Sequence, residues 1–112
     1  FVPIPYDMLK HPNFRRLSPD AVRVWLEMHL GYHGINNGEI GFSVQKAMYC
    51  LHGGSGRASK AINELIEARF IICTRDSSFH MKTGRAREWM LTTQPTRIGA
   101  ASNEWKKNHG SI

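Results

Sequence analysis

The chain has 112 residues, 41% hydrophobic and 21% charged, which fits one globular domain around a single core and excludes a disordered tail or a two-domain protein. Fifteen Lys and Arg against nine Asp and Glu give a net charge of +6 and a pI near 9.8, a balance that favours a polyanionic partner. No apolar run approaches the roughly 18 residues of a membrane helix, Phe1-Val2-Pro3 does not read as a signal peptide, and the separated Cys50 and Cys73 read as buried thiols in a reducing cytoplasm rather than a disulfide scaffold.

In chain order, Tyr6 to Lys10 predicts a short helical turn, interrupted at His11-Pro12-Asn13 because proline biases its predecessor away from the helical region. Ser18-Pro19-Asp20 starts a longer helix: a serine N-cap, proline at the first helical position and an acid where the dipole favours one. Val22, Trp25, Leu26 and Met28 recur as its buried stripe, which Gly31 and Gly34 end. Asn36-Asn37-Gly38 predicts a turn and Glu39 to Phe42 a short half-buried strand.

Ser43 caps a second helix to about Leu51, with Val44, Ala47, Met48 and Leu51 on one side and Gln45 and Lys46 on the other. His52-Gly53-Gly54 breaks it, and a third helix opens at Ser55 or Gly56 with Ala58, Ala61, Ile62, Leu65 and Ile66 as its buried face. Phe70 to Thr74 and Trp89 to Thr93 predict two strands of a hairpin whose long tip, Ser77 to Ala86, is polar and basic. In the tail, Ala100 to Asn108 predicts one or two helical turns carrying Trp105. The organisation expected is a flank over 1–17, a domain over 18–93 and a tail over 94–112.

Helix, strand, helix, short glycine turn, helix and hairpin is the order of a winged helix-turn-helix, a mainly α fold with a small β-hairpin (α+β). In that arrangement the third helix enters the major groove of double-stranded DNA. Ser55, Arg57, Ser59, Lys60 and Asn63 are then the candidate base-contacting residues: Arg and Lys donate to guanine O6 and N7, and Asn carries the donor and acceptor that adenine needs. Ser43, Gln45 and Lys46 at the start of the second helix, with Lys82, Arg85 and Arg87 in the hairpin, are the candidate contacts to the phosphate backbone. The bland alternative is a solvated helix face and a soluble hairpin tip.

Four stretches, Phe14-Arg15-Arg16-Leu17-Ser18-Pro19, Asn36-Asn37-Gly38, Ala58-Ser59-Lys60-Ala61-Ile62-Asn63-Glu64-Leu65 and Arg87-Glu88-Trp89-Met90-Leu91-Thr92, carry a resemblance. The chain resembles the helix-turn-helix proteins of bacterial mobile elements, encoded by prophages and plasmids, over roughly residues 3 to 93. The resemblance implies a winged helix domain, DNA reading by residues 55 to 63 and backbone contacts from Lys82 to Arg87. His52-Gly53-Gly54 departs from that pattern, where Gly followed by an aliphatic residue is usual.

The expectation that follows is a cytoplasmic, sequence-specific DNA-binding regulator without a cofactor or metal, associated with the nucleoid when bound. A replication-initiation or excision factor would use the same surface. A protein-interaction module on the same fold is the competitor from another class, and its sign would be an exposed apolar face. Paired half-sites would make a homodimer advantageous, with the flank or the tail, Trp105 included, supplying the contact. Enzymatic readings are weak. Cys50 and His52 lack an orienting third group, and Gly53-Gly54-Ser55-Gly56 lacks the Lys-Ser/Thr ending of a nucleotide loop. His29 and His33 have metal-ligand spacing but no third ligand in the linear pattern.

Overall fold

Ser18 organises the amino-terminal half as its sequence context requires. Its side-chain oxygen accepts from the Ala21 backbone N–H at 3.1 Å, and helix α3 (Pro19–Met28) follows with proline in its first turn. In this computed structural model, which describes residues 2–76 and 87–106, two short helices precede it: α1 (Tyr6–Lys10) and α2 (Pro12–Arg15), separated by an extended His11. A 3-10 turn over His29–Gly31 ends α3. After β1 (Ile40–Gly41), Ser43 accepts from the Lys46 N–H at 3.2 Å and starts α4 (Val44–Leu51). Three residues then lead into α5 (Ser55–Glu67), which is followed by β2 (Ile71–Arg75), β3 (Glu88–Leu91) and a 3-10 turn over Glu104–Lys106.

The architecture is α+β. Among the described residues, five α-helices pack with a three-stranded antiparallel sheet in the order β1-β3-β2. Ile40 lies opposite Trp89, and Ile71 opposite Leu91, which puts buried side chains from all three strands on one face of the sheet. Asn37 fastens the turn before β1 to the end of β3. Its Oδ1 accepts from the Leu91 N–H at 2.7 Å, and its Nδ2 donates to the carbonyls of Leu91 and Gln94 at 2.8 and 2.9 Å. A buried amide that imitates a peptide group in this way continues the ladder where backbone cannot reach.

Some expected positions shift. The buried stripe of α3 is Ala21, Val24, Trp25 and Met28, whereas Val22 and Leu26 are half-buried. On a ten-residue helix the two stripes satisfy the same periodicity one step apart, and tertiary packing selects between them. On α4 and α5, Val44, Met48 and Ile66 are likewise half-buried; Cys50 is buried as expected, whereas Cys73 is half-buried. The strands also begin and end differently. Phe70 precedes β2, its N–H donating to the Leu65 carbonyl of α5 at 3.0 Å, and Thr92 and Thr93 lie in the turn after β3, where the Thr92 hydroxyl donates to the Arg69 carbonyl at 2.8 Å.

Residues near both ends of the described segment enter the core. Met8 is buried, and Trp105 stacks on Phe70 with ring centroids 5.6 Å apart and meets His11 edge-on at 5.2 Å. Phe14 and Trp25 complete an aromatic cluster around Phe70, all in edge-to-face contact. Trp105 was expected as a contact for pairing; at 3% exposure it is instead part of its own chain's core. Among the described residues, no helix is long and apolar enough to cross a membrane.

Candidate nucleic-acid interface

Helix α5 sorts its side chains by its period. Ala58, Ala61, Ile62 and Leu65 are buried, so at about 100° per residue the stripe directly opposite carries Gly56, Lys60, Asn63 and Glu67, all exposed. Of the expected base-contacting residues, Lys60 and Asn63 therefore stand at the centre of the outward face. Ser55 is exposed in the first turn, and Ser59 is half-buried at one edge of that face. Ser59 and Asn63 line a cleft of about 250 Å³ together with Val44, Ile62 and Arg87. The structure thus brings Ser59 and Asn63 of α5 and Arg87, just before β3, around a single depression, although Arg87 is 24 or more residues from either in sequence.

Arg57 stands at the other edge, and its charge is already matched. Its Nε donates to Asp20 Oδ2 at 2.7 Å and its Nη2 donates to Asp20 Oδ1 at 2.9 Å, a two-point fork on the first turn of α3. The Arg57 guanidinium holds the Asp20 carboxyl below its ordinary range, and Asp20 raises Arg57 in turn. Glu64, on the same edge, accepts from the Ser18 backbone N–H at 3.0 Å. The amino terminus of α3 is thereby tied to α5 at two points, and Glu64 is a structural acceptor rather than a solvated acid.

Arg87 is likewise engaged. Its guanidinium carbon lies 4.5 Å from the centre of the buried Trp89 ring, and its Nε is 3.3 Å from Asp76. Asp76 falls one residue before the polar, basic stretch from Ser77 to Ala86, and only the antiparallel register brings it beside Arg87. Lys82 and Arg85 lie outside the described residues. Gln45 and Lys46 are exposed on the first turns of α4, whereas the Ser43 side chain is occupied by its capping bond. Among the described residues Lys46 and Lys60 make no ion pair, although Lys60 lies near enough to Asp20 to help hold its carboxyl down.

The turn between α4 and α5 is closed without a glycine at its left-handed position. His52 has φ 54° and ψ 43°, its N–H donates to the Tyr49 carbonyl, and the Gly53 N–H donates to the Met48 carbonyl. Gly54 then precedes α5, whose first turn, unlike those of α3 and α4, has no side-chain cap. Its leading N–H groups are left for water or an anion.

His29 and His33 do not meet as ligands. The His29 Nδ1–H donates to the Trp25 carbonyl at 2.8 Å and the ring lies at the core edge, whereas His33 is exposed. Among the described residues, no group of three or more His, Cys, Asp or Glu side chains is placed to hold a metal. Comparison with protein-family models, with curated proteins and with solved structures finds no significant match to this chain.

Proposed function

We propose that this protein is a winged helix-turn-helix that binds double-stranded DNA sequence-specifically, as a transcriptional regulator of a phage, plasmid or integrated element. The observation that carries the reading is the outward stripe of α5, where Lys60 and Asn63 stand exposed on a helix held three residues beyond α4. Both carry the donors that base edges in the major groove accept, and neither is used by the fold. The sheet that follows, with β3 between β1 and β2, supports the wing part of the assignment. Lys46 and the uncapped start of α5 supply contacts to phosphate, and they position the helix rather than specify sequence. The protein works in the cytoplasm on the nucleoid, as a binder and not as an enzyme, and marking a replication origin or an excision site would use the same face.

Selection from a randomised duplex library tests this. The wild-type chain enriches one motif, and Lys60→Ala with Asn63→Ala loses preference at the bases they read while keeping its circular-dichroism spectrum. An unchanged motif in the double variant would remove α5 from the reading role.

A protein-docking module is the second reading, and one observation favours it. Leu30 and Tyr49, 75% and 82% exposed, border a cleft of about 540 Å³ with Met28, Phe42 and Lys46. Exposed apolar groups gathered at a concavity are what a protein partner would cover. Absence of duplex binding at low salt would make this the leading reading.

A further inference from the structure

Arg57 is a surface arginine, and an unrestrained one would sample many rotamers. Three features restrain it. Asp20 takes its Nε–H and one Nη2–H in a bidentate fork. Asp20 is itself fixed in the first turn of α3, behind the Ser18 cap that Glu64 of α5 secures. Gly53 leaves the space through which the side chain passes, since a Cβ there would stand 2.9 Å from Arg57 Cδ and 3.2 Å from Nη1. The two N–H groups of Nη1 and the second N–H of Nη2 have no acceptor among the described residues.

We propose that Asp20 is a positioning residue for base recognition, holding the Arg57 guanidinium so that its remaining N–H edge meets O6 and N7 of one guanine in the major groove. The inference rests on the DNA-binding reading above. Guanine presents two acceptors side by side, and a guanidinium with one edge locked on a carboxylate offers two parallel N–H donors at the other. Locking the plane beforehand removes the rotamer entropy that a free arginine loses on binding. The carboxylate also disfavours the competing target, because a phosphate approaching Arg57 meets the Asp20 charge. Arg57 therefore discriminates between bases and contributes little to sequence-independent attraction, a task left to Lys46 and the uncapped start of α5.

The test compares wild type with Asp20→Asn, Arg57→Lys and Gly53→Ala. Asp20→Asn removes the charge, Arg57→Lys keeps the charge and loses the fork, and Gly53→Ala displaces the arginine without changing any charge. Each is titrated against the duplex selected by the wild type and against duplexes changed at each guanine. In the wild type, changing one guanine weakens binding about tenfold or more. All three variants lose that discrimination at the same position and retain it elsewhere, and Asp20→Asn binds random duplex more tightly because an anion has left the interface. Variants that discriminate at every guanine as the wild type does overturn the positioning role and leave the DNA-binding reading intact. A selected motif indifferent to guanine does the same, whereas a wild-type chain that binds no duplex at low salt overturns both.

Discussion

At the residue scale, His29 shows how a core-edge side chain makes stability depend on pH. Its Nδ1–H is spent on the Trp25 carbonyl, its ring lies edge-on to the Trp25 ring at 4.6 Å, and its Nε2 is buried without a partner. Burial pushes its pKa below the ordinary 6.5, outweighing the hydrogen bond to Trp25 that acts the other way. The unfolded chain then takes up the proton first as pH falls. The contribution of His29 is therefore complete above about pH 6.5 and declines below it, towards the lower folded value. The urea midpoint should be lower at pH 5.5 than at pH 7.5, and His29→Asn should narrow that difference whatever its effect on the midpoint itself. An unchanged difference would place the pH dependence elsewhere. The four-residue spacing of His29 and His33 does not say which of the two lies at the core edge; the fold places His29 there and leaves His33 exposed.

At the element scale, what was legible is what lies within one helical turn. Ser18 and Ser43 mark the starts of α3 and α4 because a cap reaches only its own third residue, and that partner is visible in the linear chain. The end of α4 falls at Leu51, where the sequence places it, yet the left-handed positions after α4 and α5 are held by His52 and Arg69, at φ 54° and 61°, and not by glycine. A side chain in that conformation costs about 1 kcal/mol or more, since its Cβ crowds the following carbonyl. His52 is exposed and donates no side-chain bond among the described residues. His52→Gly should therefore raise the unfolding free energy by about 1 kcal/mol, read by urea denaturation; no gain would mean that the His52 side chain contributes contacts of its own. The rotation of α3 by one residue was beyond a periodicity argument, because Ala21 and Val22 are both apolar and only the packed neighbours rank them.

At the scale of the whole molecule, the features hidden from the sequence are those that join distant residues. Arg57 and Arg87 read as unmatched cations in the linear chain, and folding brings Asp20 and Asp76 against them. The candidate interface is accordingly less positive than the net charge of +6 implies, and its attraction for phosphate depends on Lys46 and the uncapped start of α5. Trp105 is the same lesson in the core. Weak patterning in the tail conceals a side chain that stacks on Phe70 and closes the aromatic cluster over His11. Trp105→Ala should cost about 3–5 kcal/mol, seen as a large drop in the thermal midpoint. A loss under about 1 kcal/mol, the size of an ordinary surface change, would show that the tail does not belong to the folded unit.

The central claim is that the face built from α5 and the start of α4 meets duplex DNA, and its most direct test is a fluorescence-anisotropy titration of the wild-type chain with a random 30-base-pair duplex at several salt concentrations. Binding at low salt should weaken steeply as salt rises, with Lys46→Ala lowering the logarithmic salt slope by about 1. No binding at low salt, or binding indifferent to salt and to Lys46, would contradict it.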